Sequence, residues 1–119
     1  MWDGFNKRKF PRLNLRCEIV LRNQSGAQVL QAQTENLGAG GLCLLLDRAL
    51  ERFSTLTLRL ELDKNLPWIE CQGKVIWIVP SRGIGAKKDT FDTGIEFLGL
   101  EPAEEDLIRS YVESRVETA

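Results

Sequence analysis

Arginine is the residue type best placed to do chemistry in this 119-residue chain, because the sequence contains no histidine. That absence removes Ser/His/Asp and Cys/His catalysis together with the commonest metal ligand. In Lys7-Arg8-Lys9-Phe10-Pro11-Arg12, two guanidiniums stand four residues apart beside a proline that disfavours helix in the residue before it. A guanidinium fork matches phosphate oxygens, pairs with the O6 and N7 edge of guanine, and stacks on a base face. The plain alternative is a solvated basic tail. A second candidate is Asn36-Leu37-Gly38-Ala39-Gly40-Gly41, since glycines permit positive φ and let successive backbone N–H groups converge on an anion. Here the plain alternative is a turn between two strands.

Other groupings carry less. Asp89 and Asp92 flank Thr90 and Phe91 in an expected loop, with no nucleophile or metal motif beside them, so general acid–base work is discounted. Gly83-Ile84-Gly85-Ala86-Lys87-Lys88 lacks the spacing of a phosphate loop and no helix start follows it; it reads as a solvated hairpin loop. Cys17, Cys43 and Cys71 are odd in number, far apart, and set in apolar stretches, which predicts buried thiols rather than a disulfide framework or metal knuckle. No enzyme is expected.

These residues must be positioned by strands. From Leu13 to Leu21 apolar residues alternate with polar ones except at Val20, Asn23-Gln24-Ser25-Gly26 signals a turn, and 27–34 continues as a second strand, giving a hairpin. The glycines that follow Asn36 predict a sharp reversal, and Leu42–Leu46 a buried strand. Leu56, Leu58, Leu60 and Leu62 alternate cleanly with Thr57, Arg59 and Glu61. A further strand is expected from Trp68 through Val79, with Gly73 as a bulge, before Pro80-Ser81-Arg82-Gly83 opens a loop; Thr93 to Leu98 closes the set. Pro102, the acids Glu104, Glu105 and Asp106, and the stripe Leu107, Ile108, Tyr111 and Val112 specify an amphipathic helix. Short strands followed by one helix predict an all-β barrel or sandwich with a lid.

The length suits one domain that buries a core without staples. A net charge of −1 predicts no attraction of the whole chain to nucleic acid or anionic membrane, so neither DNA nor RNA is expected as a partner. Its distribution is uneven: Lys7, Arg8, Lys9, Arg12, Arg16 and Arg22 face Asp3 and Glu18 at the start, whereas 101–119 is acidic. No apolar run is long enough to span a bilayer, and an acid stands where a signal peptide would carry positive charge, so a cytoplasmic location without membrane insertion is expected.

Taken together, Arg8 and Arg12 followed by a hairpin and then Asn36, Gly38 and Gly41 resemble the RxxxR and [D/N]xSxxG motifs of the PilZ domain family. The similarity extends to Gly73-Lys74-Val75-Ile76-Trp77 in a middle strand and Thr93-Gly94-Ile95-Glu96-Phe97 before the helix, so it covers Lys7 to Val112. The resemblance implies a bacterial signalling domain: a six-stranded antiparallel, Greek-key-like β-barrel over 13–100, preceded by a flexible arm over 1–12 and followed by a C-terminal helix and tail over 101–119. It also implies the ligand, the second messenger cyclic di-GMP, with Arg8 and Arg12 on guanine and phosphate and Asn36, Gly38 and Gly41 meeting the other part.

Trp77 resembles the family's ligand-facing position, where an indole stacks on guanine or sugar; core packing is the competing role. Lys7 resembles a cationic position of members that take a stacked ligand pair, which implies two ligand molecules per chain. One departure matters, since Gly38 stands where the family has serine and deletes a hydroxyl. Losing a hydrogen bond to a charged phosphate costs about 1.5–3 kcal/mol unless a backbone N–H or water replaces it. The expected function is cyclic di-GMP binding, passed to an unidentified effector protein by a monomer or weak dimer through ordering of the arm. The alternative is a non-binding adaptor acting through protein contacts in motility or pilus assembly.

Overall fold

The computed structural model describes residues 12–13, 17–23 and 28–118, with side chains over 17–23 and 30–115. The chain forms β1 (Arg12–Leu13), β2 (Glu18–Arg22), β3 (Gln28–Gly38), β4 (Gly41–Leu46), β5 (Thr55–Glu61), β6 (Ile69–Ser81), β7 (Thr90–Leu98) and α1 (Pro102–Thr118). Every strand pairing is antiparallel. The order β3-β2-β5-β6-β7-β4 closes on itself because β4 also pairs with β3, giving a six-stranded barrel; β1 adds a two-residue pairing along β3. Closure leaves the six ring strands no free edge.

The interior follows from alternation. Ile19 and Leu21 of β2, Leu42, Leu44 and Leu46 of β4, Leu56, Leu58 and Leu60 of β5, and Val75 and Ile95 all point into one core. Each fully buried aliphatic side chain contributes about 1.5–3 kcal/mol relative to exposure, which overrides leucine's weak strand propensity in β5. Thr34 is the polar exception of β3; its Oγ1 accepts from Cys17 N–H at 2.9 Å, and its own N–H donates to Cys17 O at 3.0 Å. The helix begins where Pro102 and the acids predict. Glu104 Oε1 accepts the Glu101 N–H at 3.2 Å, satisfying an end donor, and Ile108 and Val112 join the core from the side of β1 and β3.

Three sequence expectations need correction. The reversal expected across Glu35–Gly41 is confined to Ala39 and Gly40, because β3 runs on through Gly38 and β4 starts at Gly41. Among the described residues the glycines at positive φ are Gly85 (66°) and Gly99 (68°), and Gly38 and Gly41 are extended strand residues. Gly73 is no bulge: it pairs in register with Leu56 and Phe97. Space explains it, since a Cβ there would stand 2.7 Å from Ile95 Cγ2 and 2.8 Å from Leu58 Cδ1. Pro80 and Ser81, expected to open a loop, instead extend β6 against Phe91 and Thr90.

Candidate functional site: one bulged outer face

Two irregularities build the site. On β3 the inward positions Leu30, Ala32 and Thr34 are even-numbered, but the next core residue is Leu37, because the register shifts between Thr34 and Asn36. On β6 the inward run reaches Val75 and resumes at Ile78, with the shift between Val75 and Trp77. A bulge inserts one residue and reverses which face the following side chains take. Both bulges therefore aim the residue just beyond them, Asn36 or Trp77, at the outside of the barrel.

The registers set these residues in one row. Asn36 pairs with Cys43, Cys43 with Gly94, and Gly94 with Trp77. Trp77 lies flat across Gly94, where a Cβ would stand 2.2 Å from the indole Cε2 and Nε1, so only glycine admits the ring. The next row along the same face carries Gly41, Glu96 and Lys74. Gly38, two residues past Asn36, is the Cα partner of Arg12. The structure thus brings Asn36, Gly38, Gly41 and Trp77 to one face and seats the Arg12 backbone beside it, while Lys7 and Arg8 lie outside the described residues. The Trp77 indole is half-buried and stands outside the core cluster.

The face is concave. A groove of about 990 Å³ runs over it, lined among others by Glu35, Asn36, Cys43, Leu45, Trp77 and Asp92. That size falls within the range of about 300–1,000 Å³ usual for small-molecule sites. Its far end is apolar, with Leu45 46% and Val79 48% exposed. Its polar lining sets carboxylates beside the amides of Gln31, Gln33 and Asn36. Glu35, Asp47 and Asp92 contribute carboxylates, no lysine or arginine occurs among the described lining residues, and Asn36 Oδ1 is buried without a hydrogen-bond partner among the described residues.

Glu35, Cys43 and Asp92 converge from β3, β4 and β7, their reactive atoms all within 4.8 Å of one another. The Cys43 thiol donates to Glu35 Oε1 at 3.6 Å. Burial, then the hydrogen bond and charge of Asp92, push the Glu35 carboxyl above its usual range, against a lowering contribution from Cys43. The sequence pattern marks Cys43 only as a buried thiol, gives no signal for Glu35, and puts Asp92 in a loop with Asp89. Asp92 is instead a strand residue of β7, whereas Asp89 Oδ1 accepts the Gly83 N–H at 2.9 Å and shapes the hairpin loop. The two aspartates do different jobs. The signal that would have found this face is the change of parity between Thr34 and Leu37 and between Val75 and Ile78.

The cysteines are buried as expected at Cys17 and Cys43 and half-buried at Cys71. Burial pushes the Cys17 thiol up, and burial with the charges of Glu104 and Glu70 pushes Cys71 to about 11. Neither is poised as a nucleophile. No helix among the described residues is long and apolar enough to cross a membrane.

A family model described as the PilZ domain matches residues 6–114. Solved structures agree on the fold. The PilZ domain of YcgR from Escherichia coli with c-di-GMP superposes with a TM-score of 0.74 at 16% identity, covering 94% of this chain and 93% of that one. MotI/DgrA, an inhibitor of motility from Bacillus subtilis, gives 0.78 at 16% identity, covering 94% and 52%. The MrkH–c-di-GMP complex of K. pneumonia gives 0.74 at 15%, covering 93% and 53%. The chain therefore spans about half the length of MotI/DgrA and of MrkH. No curated protein matches it.

Proposed function

This chain belongs to the PilZ domain family, and from that premise we propose that it is a receptor for cyclic di-GMP. The observation that carries the reading is the pairing of Arg12 with Gly38, beside the row that holds Asn36 and Trp77. The two sequence motifs, 24 positions apart between Arg12 and Asn36, come side by side through the Arg12–Gly38 backbone pairing, next to the groove that Asn36 lines. Similar folds bind this ligand in YcgR and MrkH.

The chemistry divides between two parts. A dianionic dinucleotide needs cations for its phosphates, and the groove lining described above supplies none, so the phosphates fall to Arg8, Arg12 and Lys7 of the arm. The indole of Trp77 offers a face on which a base stacks. Gly38 lets the ligand approach the backbone where a serine would have offered a hydroxyl. Lys7 adds a further cation, which supports a stacked ligand pair and two molecules per chain. Folding the arm onto the ligand changes the surface presented to a partner protein, which makes transmission an ordering step.

One observation favours a second reading. Three carboxylates line the groove with Gly38 in place of a hydroxyl, a combination that suits an adaptor acting through protein contacts without a ligand. Calorimetric titration with cyclic di-GMP separates the two. Saturable binding that is absent with GTP and weakened by about tenfold or more in Arg8→Ala and Arg12→Ala supports the receptor, and its stoichiometry reports on Lys7. No heat at high ligand concentration leaves the adaptor. For the ordering step, amide exchange in 8–12 should slow at saturating ligand; unchanged exchange would refute it.

A further inference from the structure

We propose that Glu35 and Asp92 are specificity-determining residues that accept the N1–H and N2–H donors of a guanine seated in the groove, so that this face selects the base while the arm holds the phosphates. The inference rests on the receptor reading above and concerns residues outside its two motifs.

The charged groups of the groove's described lining, set beside the amides of Gln31 and Gln33, point to a donor-bearing guest. Glu35, Asp47 and Asp92 are acceptors when ionised, and Asn36 presents a buried carbonyl oxygen with no partner among the described residues. An anion gains nothing from such a wall, because like charges repel. A flat ring carrying adjacent N–H donors gains twice, by stacking on Trp77 and by donating to the carboxylates. Guanine has that edge. Its N1–H and N2–H stand side by side, whereas adenine places an N1 lone pair in the equivalent position and would face a carboxylate with an acceptor.

The placement of the two acids is also specific. Asp92 sits two residues before Gly94, the glycine over which Trp77 lies, so its carboxylate neighbours the stacking surface on the same strand face. Glu35 is the extra residue of the β3 bulge, which delivers it to Asp92 across Cys43, and the Cys43 thiol holds it at 3.6 Å. Two carboxylates drawn together raise each other's energy, and two N–H donors relieve that repulsion. Neither acid ion-pairs with a described lysine or arginine in the groove.

The test titrates the full chain with cyclic di-GMP, cyclic di-IMP, which lacks the 2-amino group, and cyclic di-AMP, using wild type, Glu35→Gln and Asp92→Asn. Wild type should prefer cyclic di-GMP over cyclic di-IMP by about tenfold or more, the worth of one charge-assisted hydrogen bond, and bind cyclic di-AMP more weakly still. The variant that loses the N2–H acceptor should bring that preference toward unity while keeping its affinity for cyclic di-IMP, and the variant that loses the N1–H acceptor should weaken both ligands; retained binding of cyclic di-IMP in the first also reports that it folds. Three results overturn the proposal: equal wild-type affinity for the guanine and hypoxanthine ligands, an unchanged preference in both variants, or uniformly tighter binding of all three, which would make the acids mere repellers of phosphate. If wild type binds no dinucleotide, the receptor reading falls with it; if it binds them without preference, only this inference falls.

Discussion

The β5 wall and the face across β3, β4, β7 and β6 use the same antiparallel pairing, but only the second breaks its alternation. β5 runs half-buried and buried by turns from Thr55 to Glu61 without a slip. Its outward groups find partners of opposite character: Gln72 Nε2 donates to Thr57 Oγ1 at 3.1 Å, and Arg59 stands 3.7 Å from Glu70. The other face carries two bulges, a tryptophan laid over a glycine, and a set of acceptors with no cation among the described lining residues. The wall pairs its outward groups with one another, whereas the bulged face gathers carboxylates that meet chiefly each other and a thiol.

That contrast can be broken. The largest effect should come from Leu58→Ala in the regular wall, which empties a fully buried site and should cost about 2–5 kcal/mol in denaturant unfolding. Ligand affinity should stay unchanged wherever the variant is folded. Next, Arg12→Ala should leave stability almost untouched but weaken cyclic di-GMP binding by about 1.5–3 kcal/mol, read by calorimetry. A stability loss with intact binding would invert the two roles.

Gly94→Ala joins the regions, because a Cβ 2.2 Å from the indole must displace Trp77. It should cost about 1–3 kcal/mol of stability and reduce affinity together, whereas overpacking at Gly73, on the core side, should cost stability alone. Arg59→Ala should be the quiet control: its pair with Glu70 is exposed, so stability should move by less than about 0.5 kcal/mol and affinity not at all.

The smallest effect is a pH slope. Glu35 is held above its ordinary range, chiefly by burial and then by Asp92, so the protonated form favours the folded state. That contribution is present below the ordinary carboxylate pKa and is lost as pH rises through the folded value. Glu35→Gln should flatten the slope of stability against pH over that window, and a slope unchanged in the variant would mean that another group carries it.

The barrel was legible because Leu56, Leu58, Leu60 and Leu62 can bury their side chains in only one way on a pleated strand, whereas the apolar run 42–46 marks a strand without marking its face, and Leu45 turns outward. The helix was legible from Pro102 and its acidic first turn for the same local reason. The motif residues could be named, yet not their arrangement, since the row of Asn36, Cys43, Gly94 and Trp77 spans four strands and depends on register. Glu35 escaped notice because the glycines after it suggested a turn, when the backbone there is strand with one residue inserted. Gly94 looked like a motif letter; its physical reason, room for an indole, exists only once β6 lies beside β7.

On the proposal made above, the bulged face and not the regular wall receives cyclic di-GMP. Amide and indole chemical shifts of isotope-labelled protein, followed through a titration, test it most directly. The Cys43, Gly94 and Trp77 signals, including the indole N–H, should move in a saturable way while those of Thr57, Arg59 and Glu61 stay in place. Shifts centred on β5, or none anywhere at saturating ligand, would contradict it.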